Sequence, residues 1–66
     1  MEIIFNNQNV SAAENSSLKA FLEEHGYTAG IFSVAINQQF IQRAQYEQTI
    51  LNAMDKIDII KPMQGG

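Results

Sequence analysis

The sequence predicts an α+β fold in which one main helix packs across one mixed sheet of four to five strands. Short β-prone apolar runs lie near both ends of the chain, and one segment between them has apolar residues at helical spacing. Asn-rich or Gly-containing stretches separate these segments. The length of 66 residues suits a single domain over residues 1–66, with a flexible C-terminal tail at 63–66.

An N-terminal hairpin is predicted first. Residues 2–6 are crowded with apolar side chains, which is typical of a strand partly covered on both faces. Residues 6–9 are three asparagines and a glutamine, and asparagine favours turns because it tolerates positive φ. Residues 10–13 are then predicted to form the returning strand.

The helix is predicted between a cluster of capping residues and a glycine. Asn15, Ser16 and Ser17 can each supply an N-cap side chain. Gly26 lies where a helix commonly ends in the left-handed conformation, which gives a helix of two to three turns. The apolar face has the spacing i, i+3, i+4 and i+7 and comprises Leu18, Phe21, Leu22 and His25.

The second half of the sequence predicts a second hairpin. Residues 31–36 are β-prone and place Val34 and Ile36 on one face. A tight turn at 37–38 then leads to a short returning strand at 40–41.

A connection and a last strand complete the chain. Residues 42–49 are mostly polar and predict a loop or a helical turn, before a small apolar anchor at 50–51. The last strand is predicted over 56–61, where two alternate isoleucines share one face. Pro62 ends it, since proline cannot donate to the ladder.

The order strand, strand, helix, strand, strand, strand favours a β-grasp arrangement. In that fold the last strand enters the middle of the sheet, parallel to the first, which explains why both strands are rich in isoleucine. A ferredoxin-like fold is the competing arrangement, but it requires two full helices and the sequence offers one.

Composition excludes several functions. The chain has no cysteine and one histidine, so it offers neither a thiolate site nor the usual histidine cluster for a metal. A net charge of −3 and a pI of about 4.8 disfavour nucleic acid, because a phosphate backbone requires clustered Lys and Arg. No apolar run approaches the roughly 20 residues of a membrane span. We therefore expect no bound metal or cofactor, no nucleic-acid partner and no membrane insertion.

The diglycine Gly65-Gly66 is the most informative feature of the sequence. Four residues from Met63 onward reach roughly 13 Å when extended, which is enough to enter the active site of another protein. Glycine lacks Cβ, so it passes a narrow channel and leaves the terminal carbonyl open to attack. A frayed end without function is the alternative.

Three blocks of the sequence resemble one family. Residues 34–46, residues 55–62 and Gly65-Gly66 are similar to the ThiS family, sulfur-carrier proteins of thiamine biosynthesis with a ubiquitin-like β-grasp. The resemblance covers nearly the whole chain. Three turn or loop positions depart from the family's common pattern: Gln38 replaces the glycine of Asn-Gly, Gln42 replaces proline, and Met54 replaces glycine.

The resemblance implies a chemical role for the tail. A ThiF-like enzyme would use ATP to adenylate the Gly66 carboxylate, with Gly65, Gln64 and Met63 threading into that partner. A persulfide sulfur, held on that partner or on a cysteine desulfurase, would displace AMP from the acyl-adenylate, and release would leave a C-terminal thiocarboxylate. A ThiG-like thiazole synthase would accept the sulfur. The chain would act in the cytoplasm, with the covalently modified C-terminus in place of a cofactor.

Strand parity predicts where a partner docks. If the residues on either side of Ile4 face the helix, Ile4 faces the other way, and the same count turns Ile60 away from Ile57 and Ile59. Ile4 and Ile60 are then expected to form an exposed apolar patch near the tail. Isolated surface isoleucines and a dimer contact are the alternatives.

Other functions stay open at this level. A sulfur carrier for another pathway, such as the small subunit of molybdopterin synthase, has the same fold. A ubiquitin-like modifier or a plain interaction module would carry no sulfur. We do not expect an enzyme, because no acid–base pair, nucleophile–base set or metal cluster can be assembled from the sequence.

Overall fold

A computed structural model describes residues 1–61, so the predicted tail at 63–66 lies outside the described residues. The elements in chain order are β1 (Glu2–Phe5), β2 (Gln8–Ser11), α1 (Leu18–Glu24), β3 (Ser33–Ile36), β4 (Gln39–Ile41), a 3₁₀ turn (Arg43–Gln45) and β5 (Lys56–Ile60). They form one five-stranded sheet in the order β2-β1-β5-β3-β4. β5 lies parallel to β1 and antiparallel to β3, which confirms the predicted β-grasp arrangement.

The N-terminal hairpin turns more tightly than expected. Asn6 and Asn7 have φ of 50° and 67°, as in a two-residue type I′ turn, so Phe5 pairs directly with Gln8. The returning strand of the hairpin is confirmed, but its predicted bounds of 10–13 were wrong by two residues at each end, since β2 is Gln8–Ser11. The turn needs only two residues because asparagine enters the left-handed region at low cost.

The helix prediction is confirmed at both ends. The Ser17 side chain accepts a hydrogen bond from the Ala20 amide at 3.1 Å, which makes Ser17 the N-cap. After the C-cap His25, Gly26 adopts φ of 86° and donates to the Glu23 carbonyl at 3.1 Å. The Tyr27 amide reaches the carbonyl of Leu22 at 2.8 Å, completing a Schellman motif.

The core lies between α1 and one face of the sheet. Phe5 and Phe21 pack edge to face with ring centroids 5.1 Å apart. The predicted anchor at 50–51 is half confirmed, because Leu51 is buried while Ile50 stays exposed. The buried hydrophobic side chains of this cluster are Ile3, Phe5, Leu18, Phe21, Leu22, Val34, Tyr46, Leu51 and Ile57.

The third strand begins later than predicted. β3 starts at Ser33, and Ile31 is 84% exposed rather than part of a strand. The reason is the length of the partner, because β5 ends at Ile60, whose register partner is Ser33. Val34 is buried and Ile36 packs against the core, as their shared face predicts.

Within residues 1–61, no helix is long and apolar enough to cross a membrane. The same residues contain no group of three His, Cys, Asp or Glu side chains placed to hold a metal ion.

Candidate functional site

The central strand β5 leads directly to the predicted working end of the chain. It lies between β1 and β3, and its last residue, Ile60, pairs with Ser33. Lys61 is the last described residue. The tail residues predicted to carry or deliver the reactive carboxylate lie outside the described residues, so their roles stay predictions: Met63, Gln64, Gly65 and Gly66.

Polar side chains fix β5 at both ends. The Asn37 amide group donates to the Asp55 carboxylate at 3.0 Å, and its oxygen accepts from the Lys56 amide at 3.1 Å. Further along, the side-chain oxygen of Asn6 accepts from the Ile59 amide at 3.0 Å, beyond the last residue of β1. Asn37 makes both of its hydrogen bonds at once because an asparagine amide has a donor NH₂ group and an acceptor oxygen. The register of the strand that precedes the tail is therefore fixed by side chains as well as by the sheet.

The two predicted docking residues share a face but are not neighbours. Ile4 is register partner to Lys56, so Lys56 and every second residue after it, including Ile60, face the same way as Ile4. This confirms the predicted parity. Ile60 is four residues beyond Lys56, however, which separates it from Ile4 by about 13 Å along the sheet. The two side chains do not make one contiguous patch, and their part in docking stays a prediction.

Phe40 is an exposed apolar residue on the same sheet face as Ile60, and the sequence analysis did not include it in the docking surface. It is 68% exposed and pairs with Ala35, which in turn pairs with Asp58, two residues before Ile60. Phe40 and Ile60, which is 44% exposed, therefore share the sheet face opposite the helix. The signal was present in the sequence, because a two-residue turn at 37–38 puts Phe40 opposite Ala35.

A shallow groove of ≈ 360 Å³ lies on the other side of the molecule, between α1 and the 3₁₀ turn. Its lining includes Lys19, Tyr27, Phe32, Arg43, Tyr46 and Glu47. Lys19 and Glu47 form an ion pair at 3.6 Å, but both side chains are exposed, so the pair adds little stability. Tyr46 is buried and belongs to the core cluster, so its side chain packs within the domain.

The fold and the position of the last strand define a ubiquitin-like β-grasp protein, with one helix crossing a mixed five-stranded sheet whose central strand runs toward the diglycine. The model of the ThiS family matches residues 2–66. The chain is 32% identical to the sulfur carrier protein ThiS of Escherichia coli strain K12 over 66 residues, which covers all of both chains. The chain belongs to the ThiS family.

Solved structures agree on the fold. The crystal structure of the thiamine biosynthesis protein ThiS from Geobacter metallireducens superimposes with a TM-score of 0.85 at 20% identity, covering all of both chains. The solution NMR structure of a thiamine biosynthesis protein from the same organism gives a TM-score of 0.76 at 22% identity. It covers all of this chain and 88% of the other. At these identities the likeness shows the β-grasp fold and no more.

Proposed function

We propose that this chain is a sulfur carrier protein of thiamine biosynthesis whose working group is the C-terminal carboxylate of Gly66. The observation that carries the proposal is the match of the ThiS family over residues 2–66, which includes both glycines. The full-length relationship to the Escherichia coli sulfur carrier supports the same function.

The proposed chemistry begins with an unreactive carboxylate. A ThiF-like partner transfers AMP from ATP to the Gly66 carboxylate, releasing pyrophosphate and making the carbonyl open to attack. A persulfide sulfur derived from a cysteine desulfurase forms the new carbon–sulfur bond, and AMP leaves. A thiol then attacks the carrier's sulfur in this acyl disulfide, forming a new disulfide with the carrier and releasing the thiocarboxylate, which passes its sulfur to a ThiG-like thiazole synthase. Because ATP is a cytoplasmic cosubstrate, the proposal includes a cytoplasmic location.

The described residues support this role through the rigidity of the strand before the tail. β5 is hydrogen-bonded on both sides, and Ile57 within it is fully buried. A tail attached to a central strand has a fixed origin, so less conformational freedom is lost when its end is bound by a partner. The residues from Met63 to Gly66 can then deliver a carbonyl roughly 13 Å from that origin.

The face of the sheet opposite the helix is the proposed docking surface for the adenylating partner. It carries the two predicted residues, Ile4 and Ile60, together with the exposed ring of Phe40. Ile60 is the last residue of β5, so a partner that covers it also reaches the start of the tail. Exposed apolar side chains on one face often mark a partner surface.

Intact-protein mass spectrometry tests the proposal. The chain is incubated with ATP, a ThiF-like enzyme, a cysteine desulfurase and cysteine, and we expect a mass gain equal to the replacement of one oxygen by sulfur. A variant lacking Gly66 serves as the matched control and should show no gain. An unchanged mass, while the same enzymes modify the Escherichia coli ThiS, would contradict the proposal. Attachment of the whole chain to lysines would instead favour a ubiquitin-like modifier.

A further inference from the structure

One row of three side chains crosses the sheet face opposite the helix. Ala35 of β3 pairs with Phe40 of β4 on one side and with Asp58 of β5 on the other. Residues paired across neighbouring strands point to the same face, and two strand spacings place the Cα atoms of Phe40 and Asp58 roughly 9.5 Å apart. Because alanine is small, the middle of the row is lower than its two ends. An aromatic ring and a carboxylate therefore flank the space above Ala35.

The Asp58 carboxylate has no side-chain or backbone partner within residues 1–61. In that part of the chain, the carboxylates that accept hydrogen bonds or form ion pairs are those of Glu2, Glu14, Glu47 and Asp55. Asp58 is partly buried on the sheet, and no ion pair joins it to Lys56, which faces the same way two residues earlier in β5. Its negative charge is thus left for a group outside the described part of the chain.

A partner that docks on this face also covers Asp58. The exposed ring of Phe40 lies in the same row, and the exposed Ile60 lies two residues further along β5 on the same face. A carboxylate that loses its water without gaining a positive or hydrogen-bonding partner costs binding free energy. A surface that covers both apolar side chains must therefore supply a positive group at Asp58.

We propose that the adenylating partner places an arginine side chain in the space above Ala35, paired with the Asp58 carboxylate and stacked on the Phe40 ring. The inference rests on the proposed function and names the chemistry of the partner at its docking surface. A guanidinium contacts a carboxylate at about 2.8 Å and a ring within about 6 Å of its centre, so one group reaches both sides of this space.

The aromatic ring favours arginine over lysine as the partner's cation. A guanidinium is planar, so it binds a carboxylate through two parallel N–H donors and stacks on a ring, whereas an ammonium is a compact charge with a stronger hold on water. A partner with an acidic or apolar side chain at this point leaves the Asp58 carboxylate unpaired and is disfavoured. Asp58 is therefore a residue that selects which protein docks on the sheet.

The first test is the affinity of a ThiF-like enzyme for Asp58→Asn, measured by titration calorimetry. Asparagine has nearly the same shape without the charge, so we expect Kd to rise about tenfold, with a smaller ratio at high salt. Asp58→Glu restores the charge and should keep most of the affinity. Glu24→Gln is the matched control, since it removes one negative charge at the exposed end of α1, and its Kd should change less than about twofold. Equal Kd for Asp58→Asn and the unmodified protein would overturn the proposal.

A double-mutant cycle tests whether one group contacts both sides of the space. Phe40→Leu keeps an apolar side chain but removes the ring, so we expect it to raise Kd about threefold. The combined variant should lose less than the product of the two single effects, because both substitutions remove contacts of the same guanidinium. A combined effect equal to that product would overturn the shared arginine. An equal loss in Lys56→Gln and Asp58→Asn would also overturn it, because the cation would then belong to this chain.

Two further outcomes separate this inference from folding and from the proposed function. Asp58→Asn should keep the urea midpoint of unfolding, and a lowered midpoint would show that the carboxylate stabilises the fold instead. Normal adenylation with an unchanged Kd in Asp58→Asn would refute the arginine contact and leave the sulfur carrier standing. If ThiF-like enzymes adenylate the Escherichia coli ThiS but not the unmodified protein, the proposed function is refuted and this partner with it.

Discussion

At the scale of single residues, positive φ angles decide where this chain turns. Among residues 1–61, six non-glycine residues have positive φ, and four of them are asparagines. Asparagine accepts the left-handed region readily, so these turns carry little strain. Gln38 and Met54 are the other two, with φ of 69° each. They stand where the ThiS pattern commonly has glycine, and the structure shows why glycine suits both positions.

Met54→Gly should therefore stabilise the protein. The left-handed conformation costs a non-glycine residue roughly 1–2 kcal/mol. The Met54 side chain is exposed, so its burial does not offset that cost. Glycine also raises the entropy of the unfolded chain, which costs about 0.4–1 kcal/mol. We expect a net gain of about 0.5–1 kcal/mol in the free energy of unfolding, measured by urea denaturation.

Gln48→Gly provides the control for Met54→Gly. Gln48 is exposed and is not among the residues with positive φ, so glycine there brings only the entropic cost. It should destabilise the protein by about 0.5–1 kcal/mol. A loss of stability in both variants would mean that the backbone at Met54 is not strained.

At the scale of elements, α1 depends on its ends and on the sheet. It has seven residues, and an isolated helix of that length is marginal in water. The Ser17 cap and the Schellman motif satisfy backbone groups at both ends, while three buried side chains face the sheet: Leu18, Phe21 and Leu22. The helix exists because local capping and tertiary packing agree.

Ser17→Ala should lower the free energy of unfolding by about 1 kcal/mol, because the Ala20 amide loses its side-chain acceptor. Ser11→Ala is the matched control, since Ser11 lies exposed at the end of β2, and it should change stability by less than about 0.5 kcal/mol. Thermal or urea denaturation followed by circular dichroism measures both. Equal stability of the two variants would show that the cap contributes nothing.

The sheet face opposite the helix gives the second prediction at this scale. Ile60→Asp should raise KM for the adenylating partner at least tenfold, because an apolar anchor worth about 1.5–3 kcal/mol is replaced by a charge. Ile50→Asp makes the same chemical change at a similarly exposed residue outside the strands of the sheet. We expect the KM of the Ile50→Asp variant to stay within about twofold of the KM of the unmodified protein.

Ile4 and Phe40 then define the extent of the docking surface. If the surface is centred on the end of β5, Phe40→Asp should impair binding more than Ile4→Asp, since Phe40 is the nearer to Ile60 in register. A larger effect at Ile4 would favour a surface centred on β1. Unchanged adenylation in Ile60→Asp would remove this face from the proposal altogether.

At the scale of the whole molecule, the last strand is both the centre of the fold and the base of the tail. Ile57 belongs to the buried cluster and pairs with residues of β1 and β3. β5 therefore matters for both folding and function, because it is the central strand of the sheet and it also precedes the diglycine in the chain. A domain of this size has a small core, so the loss of one central strand is not tolerated.

Two truncations separate these roles. Deleting Gly65 and Gly66 should change the free energy of unfolding by less than about 0.5 kcal/mol, since the buried cluster is formed by residues before Lys61. The same deletion should abolish adenylation. Ending the chain before Lys56 should instead prevent folding. Denaturation curves and pyrophosphate release measure the outcomes, and a substantial loss of stability without the glycines would show that the tail is part of the fold.

The sequence by itself determined the order of the elements, the limits of the helix and the diglycine. Periodicity, the capping serine and Gly26 are local signals, and local backbone preferences suffice to read them. The family resemblance, confirmed over residues 2–66, came from the same local blocks. The β-grasp followed from element order, because one helix and five short strands leave few sheet topologies.

Only the tertiary structure decided which residues meet. Ile4 and Ile60 were correctly assigned to one face, but the register of β5 against β1 separates them, and the register of β3 and β4 adds Phe40 to that face. The Arg43 guanidinium contacts the Gly30 carbonyl and the Phe32 ring, and no periodicity in the sequence indicates these contacts between separate segments. The physical reason is that the face on which a side chain lies follows from its position along one strand. Register and side-chain contacts depend instead on how separate strands and loops pack together.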